Sequence, residues 1–268
     1  MTKFETIFAQ FSSAGQQLTA LGAAEASAGN LSIFTCTLED FPTEFHLSTR
    51  IKLPIPVPLL VNGWLIMTAS GCRLRDIADS PHSTLCFLHI QPGGKDADLF
   101  TATHLLPSSE WNSHLALHSD RVLQQGVQFH AVVHAQPFHL TYLSHIPTYA
   151  NEISLNQHLL RWQPETILTF PEGIATLPYL TPGSAALMAA SAQALRSHSA
   201  LVWQKHGIVT RSDASLVKAV DLVEYAEIAA RYEYANLQAG SPAAGLSHQD
   251  LQQICKSRLL HAPILESF

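Results

Sequence analysis

The sequence predicts a single α/β domain that spans residues 1–268. Apolar residues recur at helical spacing over residues 3–22 and again after Asp213, which is typical of amphipathic helices. Between these segments lie short apolar runs with strand-like alternation, and residues 128–136 are the clearest of them. Helices and strands follow one another too irregularly for repeated βαβ units, and no internal repeat or linker divides them. A chain of 268 residues is long enough to bury a sizeable core.

The composition narrows the classes of function. Hydrophobic residues make up 47% of the chain and charged residues 13%, which predicts extensive burial that includes subunit interfaces. The formal net charge is −6 with no basic block, which argues against nucleic acid as a partner. No apolar run is long enough to cross a membrane, and the first six residues lack the core of a signal peptide. The four scattered cysteines are typical of reduced thiols, so we expect a cytoplasmic protein.

The N-terminal third predicts one helix and several strands. The first helix should end near Gly22, and a turn leads into a strand over residues 31–36. Residues 38–44 should form a loop, and the prolines at 54, 56 and 58 an extended connector. Asn62 and Gly63, between two apolar runs, predict a hairpin of residues 59–61 with 64–67.

Two strands and a helix start are predicted before the central strand. The strands cover residues 83–91 and 98–103, around a turn at 92–94. The following helix begins within residues 107–110, with Ser108 or Ser109 as its cap and Glu110 in its first turn. Small residues at 68–71 form a loop, and the arginines at 73 and 75 are interpreted as solvated surface.

The central strand carries the most informative side chains. Pro137 should end this strand, because proline suits the first turn of a helix and cannot donate to a sheet. His134 and Gln136 are two residues apart, so they lie on the same face at the end of the strand. Such a pair could bind one metal ion, and imidazole suits zinc. The alternative is a polar pair that closes the strand.

The C-terminal part alternates short strands with helices. Strands are predicted around residues 167–170 and 174–177, and a helix after residues 181–184 with Pro182 at its first position. Residues 200–203 and 208–210 should be strands that flank the segment 204–207. The long helix after Asp213 should end at residues 240–242. Ser247 should start a last short helix.

Three segments together resemble a known family. These are residues 107–110, His134 with its neighbour two positions on, and His206 followed by Gly207. In this order and spacing they resemble the class II aldolase and adducin-head family, and within it the L-rhamnulose-1-phosphate aldolases. Further matching motifs extend over nearly the whole chain, at residues 29–32, 58–60, 68–71, 109–114, 170–173, 177–178, 182–183 and 203–207.

The resemblance implies a fold and a metal site. The fold would be a three-layer α/β/α arrangement with a mostly antiparallel central sheet. His134 and His206 would be zinc ligands, and Glu110 would lie beside the ion and handle protons. The family has a second strand histidine where this chain has Gln136. Gln136 either binds through its amide oxygen, which is a poorer zinc ligand than imidazole, or marks an impaired or lost site.

The resemblance also implies a phosphate site. Backbone N–H groups and hydroxyls at turns and helix starts suit a phosphate. The corresponding residues are Asn30, Ser70, Gly71, Ser108 and Ser109. The two serines could equally be simple helix caps, and Asn30 could be part of a strand-entry turn.

Supporting roles are assigned to other histidines. His114 lies one helical turn after Glu110, where we expect it to support the site. His130 lies four strand residues before His134, too far to share its ion at about 3.3 Å per residue. His139 lies in the helix after Pro137 and is an unlikely substitute ligand.

The implied activity is zinc-dependent cleavage of a ketose 1-phosphate, such as L-rhamnulose 1-phosphate, into dihydroxyacetone phosphate and L-lactaldehyde. The family's fourfold assembly implies a homotetramer with sites near subunit interfaces, completed by a residue of a neighbouring subunit. One alternative keeps the fold and metal but epimerises a pentulose phosphate at C4 or dehydrates a sugar phosphate. Another is a non-catalytic adducin-like scaffold, which Gln136 favours.

Overall fold

The computed structural model describes residues 2–240 and 243–268. The α-helices in these ranges are α1 (Phe4–Ala20), α2 (Trp111–Gln125), α3 (Phe138–Leu143), α4 (Glu152–Leu159), α5 (Pro164–Thr169), α6 (Ala185–Ala194), α7 (Leu216–Ala239) and α8 (His248–Ser257). The strands are β1 (Thr2–Lys3), β2 (Asn30–Thr35), β3 (Leu38–Glu39), β4 (His46–Lys52), β5 (Trp64–Thr68), β6 (Leu85–Ile90), β7 (Asp96–Thr101), β8 (Phe129–Ala135), β9 (Ala175–Leu177), β10 (Ala200–Trp203) and β11 (Gly207–Ser212). None of the described helices is both long and apolar enough to cross a membrane.

One nine-stranded sheet organises the chain. Its strand order is β4–β7–β6–β5–β2–β8–β11–β10–β9. Neighbouring strands are antiparallel except β9 and β10, which are parallel. The short strands β1 and β3 form a separate parallel pair. The predicted mostly antiparallel central sheet is therefore confirmed.

Helices cover both faces of the sheet. On β8, Ala131 and Val133 face the larger core, which contains buried residues of α1 and α7 such as Phe11 and Val223. Val132 points the other way and packs in a cluster with residues of α2 and α6. This alternation along one strand is what a sheet buried on both faces requires. The three-layer arrangement is confirmed.

The long periodic elements lie where the sequence predicts them. Helices α1, α7 and α8 and strands β2, β8, β10 and β11 match their predictions to within a few residues. Ser247 caps α8 in a capping box with Asp250, as expected for its start. Gly240 ends α7 in the left-handed conformation. The rest of the predicted end of α7, residues 241–242, lies outside the described residues.

The predicted hairpin around Asn62 and Gly63 is wrong. Pro58–Leu60 forms a 3-10 helix rather than a strand, with the proline in its first turn. Strand β5 pairs instead with β2 and β6. Gly63 lies so close to the ring of Phe34 that a Cβ there would be 2.4 Å from its Cε2 atom. Packing of this turn against β2 therefore overrides the local hairpin signal.

Other corrections concern short elements and caps. Residues 167–170 belong to helix α5 and its end rather than to a strand, because Pro164 starts a helix there. Helix α2 begins after Glu110, which is itself the N-cap residue, and no side chain caps it. Ser184, rather than a helical Pro182, caps α6. Strand β3 lies inside the predicted loop 38–44, and the exposed edge strand β4 and helix α4 were not predicted.

Candidate active site

A polar cavity of about 270 Å³ opens where β2 and β8 end. Asn30 on β2 pairs in register with His134 on β8, and His134 pairs with Val209 on β11. The cavity is lined by every residue that the sequence assigns to the site: Asn30, Ser70, Gly71, Ser108, Ser109, Glu110, His134, Gln136 and His206. The fold thus brings together residues from separate parts of the chain.

Glu110, His134 and His206 form a cluster that could hold a metal ion. One ligand atom of each lies within 4.8 Å of the others. Glu110 Oε2 is 3.7 Å from His134 Nε2, and Glu110 Oε1 is 3.8 Å from His206 Nε2. Zinc ligands at bond lengths of about 2.0–2.2 Å in a tetrahedron lie roughly 3.4 Å apart, so the observed spacing is close to that of a zinc site.

The strand position of His134 orients its ring. Nδ1–H donates a hydrogen bond to the carbonyl oxygen of Ile208 on β11 at 3.1 Å. This bond leaves the lone pair on Nε2, which is buried and has no hydrogen-bond partner among the described residues. A buried imidazole nitrogen without a partner is costly unless a ligand occupies it. Metal-binding histidines typically have this arrangement, with the second nitrogen bonded to a carbonyl group.

A tight turn between β10 and β11 places His206. The preceding Lys205 adopts a left-handed conformation, with φ of 63°, and its amide donates to Ser144 Oγ at 2.8 Å. The ring of His206 stacks on Trp203 at 5.3 Å, and its Nδ1 atom is buried without a partner among the described residues. Gly207 follows because β11 approaches β8 closely, where a Cβ would be 2.3 Å from the Ala135 carbonyl oxygen.

The charges in the cluster suit a cation. Burial raises the pKa of Glu110, but the charge of His134 and the hydrogen bond from Asn30 Nδ2, at 2.7 Å, outweigh it and hold this pKa below its ordinary value. Burial and the neighbouring His134 lower the pKa of His206 to about 4. At neutral pH the cavity therefore contains a carboxylate and a neutral His206 imidazole.

Gln136 lies beside the turn that carries His206. Its side chain is half-buried, and its backbone N–H donates to the carbonyl oxygen of Ala23 at 2.9 Å. A Cβ placed on Gly207 would be 3.2 Å from Gln136 Cγ and 3.1 Å from His134 Cε1. Gln136 therefore stands next to the cluster, on the strand face that the alternation predicts.

Two loops that face the cluster are fastened to each other. Ala69 and Pro107 form an isolated β-bridge, the Ser70 amide donates to Leu106 O at 2.8 Å, and the Ser108 amide donates to Thr68 O at 3.2 Å. Ser70, Gly71 and Ser109 are exposed at the cavity mouth. No lysine or arginine is among the described residues that line the cavity. An anion there would meet hydroxyls and backbone N–H groups rather than a side-chain cation.

His139 and the two arginines lie away from the cluster. His139 Nδ1 is 2.6 Å from Glu227 Oε1, so this histidine is engaged by a buried carboxylate of α7. Arg73 and Arg75 are exposed and do not line the cavity. These placements agree with the sequence-based interpretation of all three residues.

The sequence missed several residues that support the site. Ile208 orients His134 through its backbone, and Ser144 and Trp203 hold the turn of His206. His118 and Ser32 join a buried network with His114 behind Glu110. One signal was available, since His114 and His118 are four residues apart and therefore lie on one face of α2.

The three buried histidines of this network predict acid sensitivity. Burial lowers the pKa of His114 to about 4 and that of His130 to about 3, and it lowers the pKa of His118 well below 6.5. As pH falls below about 6.5, the unfolded chain binds protons that the folded chain does not. The free energy of unfolding should then fall by about 1.4 kcal/mol per pH unit for each histidine.

Urea unfolding of the metal-free protein between pH 7 and 5 measures this effect. His206 adds to the slope. His198 opposes it: burial lowers its pKa, but the hydrogen bond and charge of Glu152 raise it more. A His130→Phe variant should show a shallower slope. A free energy of unfolding that does not change over this range would contradict the prediction.

Comparison with known proteins now places this geometry. The family model described as "Class II Aldolase and Adducin N-terminal domain" matches residues 9–234. The chain belongs to this family. Class II aldolases are metal-dependent lyases, and the Glu110, His134 and His206 cluster of this family member is a possible metal site.

Individual relatives of this class II aldolase-family chain are sugar-phosphate aldolases. It is 28% identical over 232 residues to rhamnulose-1-phosphate aldolase of Yersinia pseudotuberculosis serotype O:1b (strain IP 31758), which covers 85% of this chain and 84% of that protein. The crystal structure of a sugar-phosphate aldolase from Thermotoga maritima matches with a TM-score of 0.74 and 24% identity, covering 90% of this chain and 99% of that one. The L-fuculose-1-phosphate aldolase of Thermus thermophilus matches with a TM-score of 0.56 and 20% identity, covering 89% and 98%. At these identities the structural matches show the fold.

Proposed function

We propose that this protein is a zinc-dependent lyase that cleaves a ketose 1-phosphate, with L-rhamnulose 1-phosphate or a close analogue as substrate. The products would be dihydroxyacetone phosphate and an aldehyde, L-lactaldehyde for that substrate. The observation that carries this proposal is the convergence of Glu110, His134 and His206 at a polar cavity rimmed by serine and glycine turns. The names of the curated relatives support the substrate class.

The donor set suits zinc. Two imidazoles and a carboxylate are typical ligands of a catalytic zinc site, which keeps a further position open. The partnerless Nε2 of His134 and Nδ1 of His206 supply the fit, since each needs a polar partner. Gln136 is proposed to add its amide oxygen. An ion bound there would supply Lewis-acid stabilisation of the negative charge that develops on the ketone fragment.

Glu110 is proposed to move protons. When the bond between C3 and C4 breaks, its electron pair remains on C3, the C4 hydroxyl loses a proton and C3 must gain one. Glu110 is a carboxylate at neutral pH and reaches the cavity from the start of α2. It can therefore accept a proton and return it, so no net proton is consumed.

The substrate phosphate is proposed to bind at the loops of Asn30, Ser70, Gly71, Ser108 and Ser109. Hydroxyls and backbone N–H groups at turns suit a phosphate, and these loops lie on the same cavity as the cluster. Because no lysine or arginine lines the described cavity, a residue of a neighbouring subunit is proposed to complete the site. A homotetramer in the cytoplasm would fit this proposal.

Product analysis tests the reaction. Purified zinc-loaded protein would be incubated with L-rhamnulose 1-phosphate, L-fuculose 1-phosphate and a pentulose 5-phosphate, and dihydroxyacetone phosphate would be measured by enzymatic reduction. Release of dihydroxyacetone phosphate from a ketose 1-phosphate supports the proposal. A rearranged pentulose phosphate without cleavage would indicate an epimerase, and no metal and no turnover would indicate an adducin-like scaffold.

Gln136→His should tighten zinc binding by at least about tenfold, because imidazole is a better zinc ligand than a neutral amide. The matched variant Gln136→Leu should weaken binding, since it keeps the size of the side chain but removes the oxygen. Competition with a chromogenic chelator measures both affinities. Equal zinc affinity in wild type and both variants would show that Gln136 lies outside the coordination sphere.

A further inference from the structure

A continuous line of hydrogen bonds runs from Glu110 into the core. Asn30 Nδ2 lies 2.7 Å from Glu110 Oε2, and Asn30 Oδ1 lies 2.5 Å from His114 Nε2. His114 Nδ1 is 2.6 Å from Ser32 Oγ, which is 2.7 Å from His118 Nε2. His118 Nδ1 then lies 2.8 Å from His130 Nδ1. Each of these side chains is buried.

The carboxylate at one end determines the direction of every bond. Glu110, when ionised, only accepts, so Asn30 must donate its amide N–H and present its carbonyl oxygen to His114. His114 must then carry its proton on Nε2, which leaves Nδ1 to accept from the Ser32 hydroxyl. Ser32 in turn accepts from the Nε2–H of His118.

The same logic fixes the inner end of the line. Since His118 Nε2 carries the proton, its Nδ1 is a bare acceptor, and His130 must donate from Nδ1. His130 Nε2 is then a lone pair, and this atom has no hydrogen-bond partner among the described residues. All five donors point towards Glu110. The lowered pKa values of the three histidines agree with this neutral arrangement.

The line also joins the elements that carry the cluster. Asn30 and Ser32 are two residues apart on β2, and His114 and His118 are four apart on α2. His130 lies on β8, on the same face as His134, four residues before it. The start of α2, with Glu110, is therefore fastened through side chains to the strand that presents the histidine.

We propose that Ser32, His114, His118 and His130 are positioning residues that hold the Asn30 amide in one orientation, so that its N–H group faces Glu110 and favours the carboxylate. Without this line the Asn30 amide could turn and present its oxygen to Glu110, which would disfavour the ionised form. The kinetic consequence rests on the proposed lyase function, whereas the proton positions do not.

Neutron diffraction from crystals of the zinc-loaded, deuterated wild-type protein tests the proton positions without any substitution. We expect deuterium on Nε2 of His114 and His118 and on Nδ1 of His130, and none on the other ring nitrogen of each. Deuterium on Nδ1 of His114 would reverse the line and overturn the proposal. So would an Asn30 amide whose oxygen faces Glu110.

Kinetics of two His114 variants test the positioning role. His114→Leu removes the donor to Asn30 and should lower kcat by roughly 10- to 100-fold, with KM within about twofold of wild type. His114→Gln offers an amide N–H to Asn30 and should recover most of kcat. Thr210→Val is the matched control, because it removes a buried hydrogen bond to Ala219 O, 2.6 Å long, on the α7 side of the sheet.

The control should lose thermal stability comparably to His114→Leu but keep its kcat. A folded His114→Leu variant with wild-type kcat, or equal kcat losses in both His114 variants, would overturn the positioning role. If the wild type cleaves no ketose phosphate, the proposed function fails, and the deuterium positions alone then decide whether the line exists as described.

Discussion

Glu110→Gln should lower kcat by roughly 10²- to 10⁴-fold, the usual contribution of a positioned general acid or base. The change keeps the shape of the side chain but removes the only carboxylate among the described residues that line the cavity. The fold should survive, because a carboxylate at a helix start contributes only about 0.3–1 kcal/mol. Steady-state kinetics on the ketose phosphate, with circular dichroism of both proteins, measures the result.

Glu172→Gln provides a matched control for that variant. Glu172 is a partly buried carboxylate that accepts two hydrogen bonds from Ser199, at 3.1 Å and 2.6 Å, and it does not line the cavity. Its amide variant should lose some stability and keep wild-type kcat. If Glu110→Gln turns over the true substrate at a near wild-type rate, Glu110 has no role in proton transfer.

His134→Ala and His206→Ala should each abolish stoichiometric zinc binding and, with it, lyase activity. Each substitution removes one of two imidazoles, and the remaining histidine and carboxylate would form an incomplete site. Zinc content of the purified variants, measured by elemental analysis, is the direct readout. Zinc should also raise the thermal unfolding temperature of wild type but leave that of both variants unchanged.

His158→Ala is the control for the loss of a histidine. His158 lies on α4, where its Nδ1–H donates to Ser154 O at 2.7 Å, and it is absent from the cavity lining. This variant should retain a full equivalent of zinc. A full equivalent in both His134→Ala and His206→Ala would place the metal elsewhere in the protein.

The sequence predicted best where a pattern is long and local. The periodicity of α1 and α7 and the alternation of β8 each extend over several turns or residues, and the structure has these elements there. The short apolar run 167–170 could not be distinguished from a helical turn by periodicity, and it belongs to α5 and its end. The turn at Asn62 and Gly63 matched a hairpin locally but is governed by packing against Phe34.

By itself, the sequence determined which chemistry the chain can carry. The order of Glu110, His134 and His206 indicated a metal site, because imidazole and carboxylate suit zinc and alternation places His134 at a strand end. Only the tertiary structure decided how these groups are held. The tautomers of His114, His118 and His130 follow from a carboxylate on another element, through bonds between β2, α2 and β8. Local spacing specifies the face of a strand or helix, whereas hydrogen-bond direction depends on partners that only folding brings together.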